Sequence, residues 1–263
     1  MKLIHRWRAA LAIMPVALLL ALTAGAVQPG PALAQQIDAA ELMRRVDDLW
    51  RGLSSRARLS MEVKTERYSR TMRLEAWSKG RERSLIRIIS PKKDMGISTL
   101  KVEQNIWNYL PRINRVTKIP PSMMMGSWMG SHFTNDDLVK ESSFEKDYTS
   151  SITFQGEREG KKIYEITSLP RPDAPVVWGK VVTLVEQETL LPLKTFYHDE
   201  EGALARVMAF DMRRRFGDRL LPARMELRPA DKPGEYTTVI YEEMEFDVEL
   251  SDEMFSLQNL RRG

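Results

Sequence analysis

After Ser55 the chain changes its hydrophobic period to two and keeps it through most of its remaining length. Ala57, Leu59, Met61, Val63 and Thr65 alternate with polar neighbours, and Met72, Leu74 and Ala76 repeat the pattern before a Lys79-Gly80 turn. Alternation of this kind puts every second side chain on one face, so each segment reads as a half-buried strand. Further segments lie near 83–90, 96–103 and 105–110. A second series covers 148–157, 161–168, 176–187, 192–199, 203–214, 220–228 and 235–248. Gly160, the Pro170-to-Pro175 loop, Glu201-Gly202, Gly217-Asp218 and Pro233-Gly234 separate its members. Short strands with turn residues between them indicate antiparallel hairpins in a sandwich or barrel.

Two segments break this pattern. The first precedes the strands: Leu42, Val46, Leu49, Trp50 and Leu53 recur at spacings of three and four, Asp38 stands where a cap is needed, and Gly52 with Ser54-Ser55 ends the run. These spacings predict an amphipathic helix near 38–53 with its apolar face turned to something large. The second lies between the two strand series. Pro120-Pro121-Ser122 is followed by Met123, Met124, Met125, Trp128, Met129 and Phe133, and Thr134 then precedes the acids of Asn135-Asp136-Asp137-Leu138. Thr134 reads as the cap of a short helix with acids in its first turn. Methionine is flexible and polarisable, so a surface built from it repacks around ligands of varied shape. An apolar excursion of this length from a β scaffold predicts function rather than simple connection. With Trp107 and Tyr109 nearby in sequence, Met123 to Phe133 is expected to form a mobile lid or wall of an apolar cavity, with ordinary core filling as the competing reading.

The N-terminus reads as a secretory signal. Lys2, Arg6 and Arg8 precede an apolar stretch from Ala9 to Val27, and Ala32-Leu33-Ala34 offers small residues where a signal peptidase cuts. Residues 1–34 are therefore expected to be removed, leaving 35–263 as a single domain in the periplasm. Those three cations supply three of the net +4, and the rest of the chain balances 37 basic against 36 acidic side chains. Nucleic-acid binding loses its usual electrostatic support. The chain has no Cys, so neither lipidation of a mature N-terminus nor a disulfide is available.

The chemical inventory is thin. Beyond the signal there are two histidines, His132 and His198. Gly126-Ser127-Trp128-Met129-Gly130 superficially matches a nucleophile elbow, with its serine one place early. His132 has Asp136 and Asp137 close in sequence but no second histidine at ligand spacing. His132 is therefore read as a surface residue and the two acids as helix-start residues. No catalytic residue, metal or cofactor is expected. Arg112, Arg115 and Lys118, and the run Arg213-Arg214-Arg215, read as solvated strand faces, with contact to lipid headgroups or an acidic partner as the competing reading.

The stretch WNYLPRINRVTKIPPSMMMGSWMGSHFTNDDL, from Trp107 to Leu138, closely resembles the outer-membrane lipoprotein-sorting proteins related to the Lol periplasmic carriers. Ser90-Pro91 through Gly96-Ile97-Ser98-Thr99-Leu100 fits the same family, as does Ser251-Asp252-Glu253-Met254-Phe255-Ser256-Leu257. His132 is a departure, standing where an acid would be expected. The resemblance implies a mostly β fold, an incomplete antiparallel β-barrel whose concave apolar face is covered by helices. It also implies a non-enzymatic periplasmic carrier of acylated lipoproteins or lipids, in transient contact with membranes and served by an inner-membrane transporter. An adaptor that docks on such a transporter is the alternative, and a periplasmic hydrolase is disfavoured by the histidine count. The residues expected to bind ligand are Met123, Met124, Met125, Trp128, Met129, Phe133, Trp107, Tyr109, Leu49 and Trp50.

N-terminal sequencing of the fractionated protein is expected to begin at Gln35. Recovery of the intact chain in the membrane pellet would overturn that expectation.

Overall fold

The computed structural model describes residues 37–140 and 144–262; the expected signal peptide lies outside them. The first strand series forms β1 (Ser54–Lys64), β2 (Ser69–Lys79), β3 (Arg83–Ser90), β4 (Ser98–Val102), β5 (Asn105–Leu110) and β6 (Arg115–Lys118). The second forms β7 (Tyr148–Arg158), β8 (Lys161–Pro170), β9 (Lys180–Glu186), β10 (Pro192–His198), β11 (Leu204–Phe216), β12 (Arg219–Pro229) and β13 (Tyr236–Phe246). Each series is an up-and-down meander. The two join because the first strand pairs with the last: β1 runs antiparallel to β13, with Met61 opposite Val239 and Leu59 opposite Tyr241. The result is one antiparallel sheet of thirteen strands, ordered β6 to β1 and then β13 to β7, open at β6 and β7.

The sheet is bent by local faults in its ladder. Register shifts occur between Arg58 and Leu59, Arg73 and Leu74, Ile152 and Phe154, and Tyr197 and His198. Bulges of this kind raise local twist and curve a strand. In β11, Met212 adopts φ +53° opposite the stretch of β12 that holds Pro222, which has no N–H to offer the ladder.

The helix α1 (Ala39–Asp48) has the Asp38 carboxylate accepting from the Glu41 N–H. Its apolar face, Ala39, Leu42, Met43 and Val46, packs on Ile166 and Val185 of β8 and β9. It ends earlier than its periodicity predicts. Gly52 takes φ +80°, and a Cβ there would lie 2.9 Å from Asp247 Oδ1, so the chain turns sharply into β1. Leu53 consequently falls outside the helix and is 82 % exposed. Leu49 and Trp50 follow the helix and pack on Ala57, Phe216 and Met244. The alternation also missed β6, which is too short to show a period.

The other face of the first meander is covered by the C-terminus. Phe255 and Leu260 of the segment Asp252–Leu260, which ends in α4 (Leu257–Leu260), pack on Trp77, Leu85, Leu100 and Tyr109. Among the described residues no helix is long and apolar enough to cross a membrane.

Leu42 is fully buried and Leu53 is not, although both sit on the same predicted helix face. Leu42→Ala is expected to destabilise by about 2–5 kcal/mol and Leu53→Ala to change stability by less than about 0.5 kcal/mol, measured by urea denaturation.

Candidate functional site

One face of the sheet closes on a cavity of about 300 Å³. Its wall follows the register. Phe210 lies opposite Met225, Met225 opposite Val239, and Val239 opposite Met61, so one apolar row crosses β11, β12, β13 and β1. Thr183, Thr195 and Met208 continue it across β9 to β11, and Ala76 and Ile86 close the other side from β2 and β3. Side chains from both meanders line one volume only if the sheet curls around it.

Three segments form the cover. Met43, Val46 and Asp47 of α1, with Trp50 just after it, contribute one side. The excursion after β6 contributes Trp128, Phe133, Asp136, Asp137 and Leu138, the last three on α2 (Asn135–Lys140). Val176, Val177 and Trp178 come from the loop before β9. That loop was read from sequence as the start of a strand, which instead begins at Lys180.

Polar contacts pin the cover to the sheet. Trp128 donates from Nε1 to Thr99 Oγ1 at 3.1 Å, and Thr99 donates to Asn108 Oδ1 at 2.7 Å. Tyr68 donates to the Gly130 carbonyl at 2.6 Å. The His132 N–H donates to Thr237 Oγ1 at 3.0 Å, its Nδ1 lies 2.8 Å from the same oxygen, and its Nε2 lies 3.0 Å from Glu235 Oε2. The hydrogen bond with His132 holds the Glu235 carboxyl below its ordinary value, with help from the Glu66 N–H. This Thr–His–Glu trio has the connectivity of a hydrolytic triad, but Thr237 is fully buried and already accepts the His132 N–H. A hydroxyl that substrate cannot touch is no nucleophile. His132 is a clamp between the excursion and β13, not the free surface residue expected from sequence.

A further pin is ionic. Thr134 and Asp137 cap α2 reciprocally: Thr134 N–H donates to Asp137 Oδ2 at 2.8 Å, and Asp137 N–H to Thr134 Oγ1 at 3.2 Å. The same carboxylate takes both prongs of the Arg206 guanidinium, at 2.6 and 2.8 Å. Arg206 is buried on β11 with its guanidinium 4.4 Å from the ring centres of both Trp178 and Tyr197. Burial works against its charge, and the hydrogen bonds and attraction of Asp137 outweigh that and raise its pKa. Asp137 was read from sequence as a helix-start acid. It is that, and it also links helix, loop and sheet. Tyr148 donates to the Trp178 carbonyl at 3.2 Å, and burial followed by the charge of Asp147 pushes its phenol up, so it stays neutral. Among the described residues no cluster of His, Asp and Glu is arranged to hold a metal.

Of the ten residues expected to bind ligand, Trp50, Trp128 and Phe133 line the cavity. Met129 is half-buried and packs against the core cluster that includes Trp128. Met123 and Met125 are exposed and Met124 half-buried, because the 3-10 turn Pro121–Met123 runs along the outside of the cover. Trp107 and Tyr109 lie on the opposite face: Trp107 pairs with Leu100 and Leu100 with Leu85, whereas the cavity residue Ile86 pairs with Thr99. Their rings belong to the cluster under the C-terminal segment. Leu49 packs beside the cavity rather than in its wall. Among the basic residues, Arg213 pairs with Glu186 at 2.6 Å, and Arg214 and Arg215 donate to nearby carbonyls, as a solvated strand face requires.

A family model described as "-like: Uncharacterized protein" matches residues 80–262. A comparison with curated protein sequences gave no match. Among solved structures, a DUF1329 family protein from Desulfovibrio piger superposes with a TM-score of 0.77 at 21 % identity, covering 84 % of this chain and 97 % of that one. A putative outer membrane lipoprotein-sorting protein domain from Vibrio parahaemolyticus gives 0.74 at 22 %, covering 85 % and 98 %. A LolA superfamily protein from Nitrosomonas europaea gives 0.71 at 18 %, covering 85 % and 99 %. At these identities the likeness is one of fold, and it is the fold that the Trp107–Leu138 resemblance implies.

Arg206→Met is expected to destabilise by about 3 kcal/mol, at the low end for a broken buried pair because Asp137 keeps some exposure. Arg206→Met combined with Asp137→Leu should cost less than the sum of the single changes in a denaturation double-mutant cycle. Additive effects would remove the coupling.

Proposed function

We propose, from the premise that the chain belongs to the uncharacterized-protein-like family whose model it matches over residues 80–262, that it is a non-enzymatic periplasmic carrier holding an acyl chain of a lipid or lipoprotein in the covered cavity. The observation that carries this reading is the cavity itself: an apolar volume of about 300 Å³ walled by both meanders and covered by three separate segments. A volume of this size is at the lower end of small-molecule sites. It is about twice that of an apolar cavity that takes up benzene, so it matches roughly a dozen carbons of one chain rather than several chains together. The fold it shares with a lipoprotein-sorting domain and a LolA superfamily protein supports the same reading.

Acyl burial is worth about 0.8 kcal/mol per methylene, so roughly a dozen methylenes, the length this cavity matches, gain on the order of 10 kcal/mol over exposure to water. A carrier is useful because it supplies most of that environment during passage between membranes. The donor membrane supplies it equally well, so transfer is nearly thermoneutral and its direction comes from a donor or acceptor partner, such as an inner-membrane transporter. One wall group fits the polar end of such a ligand. Trp50 Nε1 is buried without a hydrogen-bond partner among the described residues, and its ring lines the cavity against Phe210. An ester or amide carbonyl would satisfy it, as buried donors generally require.

Native mass spectrometry of protein from the soluble envelope fraction is expected to show retained acyl species, and a fluorescent fatty acid is expected to bind. Phe210→Asp should abolish both with the sheet still folded by circular dichroism. Met125→Ala, on the outside of the cover, should leave both intact. A folded wild type that neither retains nor binds acyl chains would sink the carrier reading in favour of an adaptor.

A further inference from the structure

Two neighbouring turns at one end of the first meander carry four exposed cations against a single acid, and the β1–β2 turn at the same end adds one acid and one base, Glu66 and Arg67. The register puts the two cationic turns side by side. Arg87 pairs with Ser98 and Ser98 with Tyr109, while Leu110 pairs with Arg115, so the loop 91–97 and the turn 111–114 leave the same end of the sheet. Lys92, Lys93, Arg112 and Arg115 are all exposed there. The turn Pro111-Arg112-Ile113-Asn114 contains no acid, and Asp94, the acid within the loop, is already paired with Arg70 at 3.2 Å. The acidic turn Asp199-Glu200-Glu201 belongs to the second meander, five strands from β3 in the sheet order. At a strand spacing of about 4.8 Å that is roughly 24 Å, three screening lengths at physiological salt. Three apolar side chains project among the four cations: Ile113 at 63 % exposure, Met95 at 53 %, and Leu110.

We infer that this end of the sheet is a docking surface for an anionic lipid bilayer. Aliphatic side chains at the tips of projecting turns, surrounded by lysine and arginine, match the two terms that hold a peripheral protein on such a surface: shallow apolar insertion and attraction to headgroups. A protein partner's site would more often present aromatic anchors and few lysines at its centre. The surface also adjoins the cavity cover. Asp94 of the 91–97 loop holds Arg70, whose Nη1 would lie 3.9 Å from a Cβ placed on Gly130, and Tyr68 is bonded to the Gly130 carbonyl. Docking through these turns sets the excursion that closes the cavity next to the membrane. The inference stands on exposed residues and does not depend on what fills the cavity.

The test is flotation of the processed protein, lacking the apolar N-terminus, with vesicles of phosphatidylglycerol and, separately, of phosphatidylcholine. Binding to the anionic vesicles alone is expected, weakening as salt rises. Each cation near an anionic surface contributes roughly a fivefold factor, so Lys92→Glu with Arg112→Glu should weaken binding by at least about 25-fold. Ile113→Asp should weaken it without a change in melting temperature, because the side chain is exposed. Lys161→Glu with Lys162→Glu, on the β7–β8 turn at the far end of the strands, should leave it unchanged. No binding to either vesicle, equal binding to both, or binding insensitive to the Lys92/Arg112 reversal would overturn the inference. Loss of an acidic protein partner from the reversed variant, with vesicle binding retained, would assign the surface to protein instead. Fatty-acid binding by the same variants separates this outcome from failure of the carrier reading.

Discussion

The pairing of β1 with β13 is the interaction on which the rest of the structure depends. Each meander alone is a curved ribbon with an apolar face too large to leave wet. Joining the first strand to the last places both apolar faces on one continuous surface, seen in the row from Phe210 through Met225 and Val239 to Met61. It also sends the two remaining edges, β6 and β7, to opposite ends of the sheet. These strands are consecutive in sequence, so the chain between them has to travel from one edge to the other. The path it takes is over the concave face. The Met-rich excursion therefore lies over the cavity because the strand order leaves it few other routes, and its inner residues, Trp128, Phe133 and Leu138, are apolar because they complete that wall.

A cover made of irregular chain has weak preferences of its own, so its position rests on a few directed contacts. Each reaches a different part of the sheet: Trp128 to Thr99 on β4, Gly130 to Tyr68 beside β2, His132 to Thr237 on β13, and Asp137 to Arg206 on β11. The ionic contact differs in kind from the others. Arg206 stands at a position whose alternation partners, Met208 and Phe210, face the cavity; a guanidinium there requires both a counter-charge and flat surfaces to lie against. Asp137, Trp178 and Tyr197 supply them, and in doing so tie α2 to the loop before β9. The pair is modest evidence for stability, since two well-packed apolar residues would serve as well. It specifies where the cover sits.

The strands were legible because a period of two survives in any single sequence, and all but β6 could be placed from it. The site was less legible for a related reason. Alternation divides a strand into two faces without saying which one meets the cavity. Trp107 and Tyr109 share a face with Leu100 and so fell under the C-terminal segment, while Asn108 between them faces the cover. Helical spacing similarly overran into Leu53, because the positive φ of Gly52 is a turn signal that outweighs one more apolar residue in register. Met123 and Met125 lie exposed on the cover, which composition, carrying no direction, does not foretell. Two signals were available and missed. Arg206, a charge at an inward position among apolar residues, predicted a buried partner. Val176-Val177-Trp178 lay between Pro175 and Gly179, an apolar run bracketed by loop residues, and it forms part of the cover.

The same contacts bear on how a bound acyl chain would leave, if the cavity holds one as proposed. Lifting the cover breaks three hydrogen-bonded anchors, each worth about 1 kcal/mol net, and one ion pair whose charges regain water as they part. It also uncovers Trp128, Phe133 and Leu138, which pack on the core of the sheet, at about 1.5–3 kcal/mol for each side chain fully exposed. Together these terms are comparable with the roughly 10 kcal/mol that separates a chain of about a dozen methylenes in apolar surroundings from the same chain in water, so cover and solvent both retain such a ligand. An opened cavity in water would keep its chain, and an opened cavity against an apolar acceptor would lose it with little resistance. If the cavity holds such a chain, the cover opens most easily where an acceptor's apolar surface replaces the contacts that Trp128, Phe133 and Leu138 give up. The directed polar contacts then set where the cover sits, and its apolar residues set how firmly it closes.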